Sequence, residues 1–278
     1  MAAAAVLAFG LGACGLFVDT DGLTGGDVVS VGGSDGSVDA NVGGDGSSGP
    51  SDSGTTSDAA PFDANAPKFC DSHPGHSYCV DFDESLTIPP DYDDTSFTAA
   101  NFFIDPSISV SAPNSLYAKF TVGDSSEGVG SNVTYASGSL ALALDVRFSS
   151  SDLSTGQIVP FIAYVPKSSG QSEHYFYLQV YYGSFNIGEA LTADDGGAPT
   201  YASTTLVSPT PKDTWMHVDI LINGSTGKVT ASFDGTSITV PDAQAGFGTG
   251  AGYVTLGAYA NDLPADAIEH LDNITFDL

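Results

Sequence analysis

Tyrosine and glutamine alternate with apolar residues along His174-Tyr175-Phe176-Tyr177-Leu178-Gln179-Val180-Tyr181. In a strand, the period of two sends Phe176, Leu178 and Val180 to one side and Tyr175, Tyr177, Gln179 and Tyr181 to the other. Three phenol rings and an amide on a non-core face make a flat aromatic row. Such a surface stacks on sugar rings while hydroxyls and amides hydrogen-bond the sugar's edge. The competing reading is that tyrosine sits here for strand propensity alone. His217 and Asp219 share a face with Trp215, as further polar ligands or as solvated side chains, and Trp215 itself reads as packing. Calcium is the candidate cofactor, because hard cations take carboxylate oxygens. Asp81, Asp83, Glu84 and Asp272 would converge if the first and last strands pair. Asp272 falls in the alternation phase of Ile274 and Phe276, which points it inward.

Other chemistry has less support. Retaining glycoside hydrolysis needs two carboxyl groups about 5 to 5.5 Å apart, and the acid-dense run Asp81-Phe82-Asp83-Glu84 beside a cysteine pair is a poor cleft. Elimination on a uronate needs a cation against the carboxylate, and the sole arginine is Arg147. Neither a serine triad nor a phosphate loop has supporting spacing. Cys70 and Cys79 flank a turn at Pro74-Gly75 and are expected to form a disulfide. The rival is a metal site from Cys70, His73, His76 and Cys79, whose spacing is unlike that of common zinc fingers.

The chain has 278 residues and a formal net charge of −28, from 34 acidic and 6 basic side chains. Nine acids precede position 66, so the remainder still carries −19. Such a surface repels polyanions, which excludes nucleic acid as a partner and favours neutral oligo- or polysaccharides. Residues 14–66 are rich in Gly, Ser and Asp and cannot bury enough apolar area to order themselves. They are expected to form a flexible spacer with a root-mean-square span of roughly 40 Å.

The elements that must position the candidate residues are strands. Leu140, Leu142, Leu144, Val146 and Phe148 alternate with small or polar residues, as do Met216, Val218, Ile220 and Ile222. Asn223-Gly224-Ser225-Thr226-Gly227 reads as a hairpin loop returning through Val229, Ala231 and Phe233 to a turn at Asp234-Gly235. Further runs cover residues 114–122, 174–182, 253–260 and 273–278, and no convincing helix is present. Antiparallel strands at this spacing predict an all-β, two-sheet jelly-roll sandwich over residues 67–278.

Asp213-Thr214-Trp215-Met216-His217-Val218-Asp219-Ile220, Gly227-Lys228-Val229 and Phe233-Asp234-Gly235 resemble the strand, hairpin and turn of laminin G-like domains in the concanavalin A-like lectin/glucanase superfamily. Val80-Asp81-Phe82-Asp83-Glu84, Ala112-Pro113-Asn114-Ser115-Leu116 and Leu271-Asp272-Asn273-Ile274-Thr275-Phe276 resemble the opening, early and closing strands of its carbohydrate-binding jelly rolls. The resemblance implies a structural calcium near the chain ends. It also implies a Glu-x-Asp-x-x-Glu-like motif in the hydrolases, which this chain lacks. Separately, Leu11-Gly12-Ala13-Cys14 after an apolar run resembles the bacterial lipobox. That resemblance implies a signal peptide over residues 1–13, lipidation of Cys14 and display on a bacterial outer membrane, with the lipid as the only membrane contact. The expectation from sequence is a surface lipoprotein that binds carbohydrate without turnover. An adhesion module for protein partners is the alternative, and a glycoside hydrolase or polysaccharide lyase stands behind both.

Overall fold

A computed structural model describes residues 68–83, 88, 92–150, 152–166, 171–193 and 197–278. The signal segment with Cys14, the spacer over 14–66, and Glu84 lie outside the described residues.

The described residues form sixteen strands in two antiparallel sheets. The first sheet contains β1 (Tyr78–Val80), β3 (Phe102–Asp105), β4 (Ser115–Phe120), β7 (Ser139–Ser150), β12 (Trp215–Asn223), β13 (Lys228–Phe233), β14 (Thr236–Ile238) and β16 (Ala267–Asp277). Their order is β14-β13-β12-β7-β16-β4-β3, and β1 pairs with the far half of β16. The second contains β2 (Asp94–Ser96), β5 (Gly123–Ser125), β6 (Gly128–Tyr135), β8 (Gln157–Tyr164), β9 (Gln171–Tyr181), β10 (Ser184–Ala193), β11 (Thr200–Val207) and β15 (Gly250–Leu263). Their order is β11-β10-β9-β8-β15-β6-β2, with β5 beside β15.

The alternation that predicts a sandwich is the alternation that builds it. Leu140, Leu142, Leu144, Val146 and Phe148 of β7 are all at most 3% exposed, and they meet Phe161, Phe176, Leu178 and Val180 of the second sheet in one apolar core. The hairpin between β12 and β13 closes where expected. Asn223 C=O accepts the Gly227 N–H at 2.8 Å, and Asp234 and Gly235, at φ 47° and 72°, turn the chain into β14. Consecutive positive φ angles at an Asp-Gly pair are what a tight two-residue hairpin requires.

Two features depart from the sequence reading. A single turn of helix, α1 (Phe69–Ser72), stands at the start of the folded region. In β16 a bulge at Asn273, whose φ is 48°, changes the phase of the strand. Leu271 before it and Ile274 and Phe276 after it face the core, whereas Asp272 pairs across from Asp145 on the outer side of the sheet. Asp272 is buried there, but not in the phase of Ile274 and Phe276. One extra residue in a strand does this, and the two-residue count along the sequence cannot register it.

Cys70 and Cys79 are disulfide-bonded. The loop they close docks on the last strand, where the Asp277 carboxylate accepts the Ser77 N–H at 2.6 Å and pairs with His76 at 2.8 Å. Closing a loop this short is worth about 2.5 kcal/mol by chain entropy. The Cys70→Ser, Cys79→Ser double variant is therefore expected to lose about that much in a urea unfolding measurement.

Candidate functional site

Seven of the chain's 12 tyrosines fall on the outer face of the second sheet: Tyr164, Tyr175, Tyr177, Tyr181, Tyr201, Tyr253 and Tyr259. Strand register explains their grouping. Tyr253 of β15 lies opposite Tyr164 of β8, which lies opposite Tyr175 of β9. Tyr175 is opposite Ala190 of β10, which is opposite Tyr201 of β11. The result is a row running across the strands. Ring centroids are 6.3 Å apart for Tyr253 and Tyr164 and 5.0 Å for Tyr164 and Tyr175. From β15 to β11 the row covers four strand spacings, about 19 Å.

A second row lies beside it. Thr255, Ile162, Tyr177, Gly188 and Ser203 are successive cross-strand neighbours. The ring of Tyr177 lies flat over Gly188, so a Cβ added at Gly188 would come within 2.3 Å of its Cζ. Tyr253 lies over Gly130 of β6 in the same way, with its hydroxyl 2.1 Å from where a Cβ would stand. Both rings therefore lie down on glycines, Tyr177 as part of the buried layer and Tyr253 partly exposed. Gly188→Ala is expected to displace the Tyr177 ring and to destabilise the fold by about 1–3 kcal/mol through overpacking, read as a lowered urea midpoint against the wild-type chain.

The four residues selected from the sequence share the outer face of β9 but not the same exposure. Tyr175 and Tyr181 are half-buried, but Tyr177 and Gln179 are only 9% and 5% exposed. Tyr177 packs with Val159, Ile162 and Ala190 beneath the other rings, which makes it part of the floor. Gln179 accepts from the Gln157 side chain, whose own oxygen receives the Asn261 amide at 3.5 Å. This gives a string of amides along one end of the face. Tyr164, Tyr201, Tyr253 and Tyr259 escaped sequence reading because register, not spacing along the chain, brings them to Tyr175.

The electrostatics are neutral over the floor and acidic at its rim. Burial, then the charge of Glu173, raises the pKa of Tyr164 and of Tyr201. Burial pushes Tyr259 up to about 12 and drives Tyr175 and Tyr177 higher still. These phenols stay protonated near neutrality, so they both donate and accept hydrogen bonds. The described cations lie elsewhere. Lys119, Arg147 and Lys228 are on strands of the first sheet, Lys212 bridges to Phe148 of that sheet, and Lys68 precedes α1.

His217 and Asp219 do not join this face. They stand on β12, on the outer side of the opposite sheet. His217 Nδ1 is 2.8 Å from Asp145 and Nε2 is 3.2 Å from Asp219, and these hydrogen bonds, Asp145's first, raise its pKa to about 10. Asp219 also accepts from Ser232 at 2.6 Å. Both imidazolium N–H groups are spent on carboxylates, so this cluster braces the sheet. Trp215 packs beside it, edge-on to His270 at 6.3 Å.

Three of the acids considered for calcium take hydrogen bonds from the chain itself. Asp81 accepts the N–H groups of Cys70 at 2.9 Å and Asp83 at 3.2 Å. Asp83 accepts the Asn114 N–H at 3.1 Å. Asp272 accepts the N–H groups of Val110, Ser111 and Asn273 and the Ser111 hydroxyl. Burial, with a contribution from the Asp83 charge, raises the Asp272 carboxyl to about 8 against the pull of those hydrogen bonds. Among the described residues, no group of three or more His, Cys, Asp or Glu is arranged to hold a metal.

Comparison with known proteins bears on the fold. No protein-family model matches the chain, and no curated protein matches it. An endo-β-1,4-glucuronan lyase from the fungus Trichoderma reesei superposes with a TM-score of 0.55 and 11% identity, over 73% of this chain and 95% of its own. The fold is an antiparallel jelly-roll sandwich. A cellulose-induced protein aligns at TM-score 0.48 and 13% identity, over 72% of this chain and 96% of its own. An alginate lyase of polysaccharide lyase family 7 aligns at 0.40 and 12%, over 69% and 92%. In this jelly roll the tyrosine floor occupies the outer face of the sheet that lacks both the opening and the closing strand.

Proposed function

We propose that this jelly roll is a non-catalytic carbohydrate-binding module, and that the tyrosine floor of the second sheet takes a neutral oligo- or polysaccharide. The observation that carries the reading is the transverse row of Tyr253, Tyr164, Tyr175 and Tyr201 beside a string of amides, with no described cation on the face. A glucuronan or alginate lyase, by its name, acts on a polymer with a carboxylate on its sugars. Elimination from such a sugar needs that carboxylate neutralised and a base of suitable pKa. Here the rim is acidic and the tyrosines hold their protons, so a polyuronate is repelled. Hydrolysis would need paired carboxyl groups, and among the described residues Glu173 is the carboxylate beside Tyr164 and Tyr201.

Display at a bacterial surface through a lipid on Cys14, with the spacer over 14–66, belongs to the same proposal. So does calcium at the chain ends, expected of Asp81, Asp83, Glu84 and Asp272, supported if calcium raises the melting temperature of chelator-treated protein. A glycan-array screen with and without calcium tests the function: binding to neutral glycans supports it. Silence on all glycans together with capture of a defined surface protein would favour the adhesion reading.

A further inference from the structure

The tyrosine row does not end alike on its two sides. At β11 it meets the sheet's free edge with the half-buried Tyr201. At the opposite side it runs into a recess of about 220 Å3, lined among others by Ser96 of β2, Ser126, Gly128, Gly130, Tyr253 and Thr255. The depth comes from glycines that cannot carry a side chain. A Cβ at Gly128 would stand 1.7 Å from the Gly257 carbonyl oxygen, and Gly130 lies under Tyr253. The far wall is braced, because the buried Glu127 carboxylate accepts the Thr98 N–H at 2.7 Å and the Asn101 amide at 2.9 Å. That ties the chain just after Ser96 to the chain just after Ser126. Hydroxyl groups, rings and the apolar Val129 and Ile162 line the recess, and among the described side chains none that lines it is charged.

We infer that this recess is a terminal subsite, and that the protein binds the end of an uncharged polysaccharide chain: one pyranose ring sits in the recess and the next units lie along Tyr253, Tyr164, Tyr175 and Tyr201. The inference rests on the proposal that the tyrosine floor binds sugar. A groove open at both ends accepts the middle of a polymer, whereas a groove walled at one end accepts only a terminus. Ser96 and Ser126 line that end, and their hydroxyls face a sugar's hydroxyl-rich edge.

The test compares intact xylan, glucomannan and mixed-linkage β-glucan with the same mass of each cut to oligosaccharides of about ten units, still longer than the row by the strand-spacing estimate. For the polymer that binds, apparent affinity per unit mass is expected to rise in proportion to the number of chain ends. Ser96→Trp, at an exposed position of the recess rim, is expected to weaken binding at least about tenfold with an unchanged melting temperature. Equal affinity per mass for intact and cut polymer, with Ser96→Trp unaffected and Tyr175→Ala inactive, would overturn the terminal subsite and leave the floor standing. Failure of all three polymers to bind the wild-type chain, cut or intact, would overturn both.

Discussion

Replacing Glu269 with Gln should make the protein more stable at pH 8 and flatten its stability against pH. Glu269 belongs to the core phase of β16, between Ala267 and Leu271, and is fully buried. Neither carboxyl oxygen has a hydrogen-bond partner. The space for it comes from Gly257 of the other sheet, where a Cβ would lie 3.2 Å from the Glu269 Oε1. Burial raises this carboxyl to about 8. Below about pH 4.5 the folded and unfolded chains both hold the proton and no penalty arises. Between about 4.5 and 8 the unfolded chain releases its proton while the folded chain keeps it, so stability falls as pH rises. Above 8 the loss is constant, about 5 kcal/mol for this one group. The Gln variant removes that share and keeps an uncharged, equally unpartnered side chain, so a gain of about 3–5 kcal/mol at pH 8 is expected. A slope from Asp272 remains, since its carboxyl is raised through the same window. Urea midpoints for both proteins at pH 4.5, 6 and 8 decide it, and parallel curves would show that Glu269 is not the buried acid described.

Truncating Tyr175 should nearly abolish glycan binding while sparing the fold. Its ring is central to the floor, 5.0 Å from Tyr164 and 6.0 Å from Tyr177, and its hydroxyl bonds Tyr201. Loss of a central aromatic anchor costs about 2 kcal/mol or more, roughly thirtyfold in affinity. The core is not touched, because Phe176, Leu178 and Val180 of the same strand face the other way. The single tryptophan supplies an internal control. Trp215 lies on the outer side of the opposite sheet, so ligand should perturb the near-ultraviolet tyrosine signal and leave tryptophan emission unchanged. A Tyr175→Ala variant with undiminished affinity would move the site off this face.

What the sequence discloses here follows from where each strand is wetted. β7 and β12 bury one face and read as clean alternation. β8 does not, because Ile158 and Phe161 face the core while Val159 and Ile162 pack under the tyrosines, so its apolar run carries no period. The disulfide is legible, since Pro74-Gly75 marks the turn that brings Cys70 and Cys79 together, whereas the pairing of β1 with β16 enters the sequence reading only as a condition. That His217 and Asp219 lie on the sheet opposite the tyrosines has no local sign in the sequence, because membership of one sheet or the other is set by long-range topology. Half of the floor was hidden for the same reason. Tyr201 and Tyr253 have unremarkable neighbours along the chain and meet Tyr164 and Tyr175 only through register. The phase change at Asn273 lies in a positive φ that Asn tolerates, and spacing gives no sign of it.

Binding without turnover on an uncharged floor is the central claim, and one calorimetric titration addresses it most directly. The wild-type protein is titrated in parallel with a neutral polysaccharide selected by the glycan screen and with polyglucuronate, and the polyglucuronate mixture is followed for unsaturated product. Heat of binding is expected with the neutral polymer alone, with no product in either cell. Binding of polyglucuronate with release of unsaturated oligosaccharides would contradict the claim and make this jelly roll a lyase.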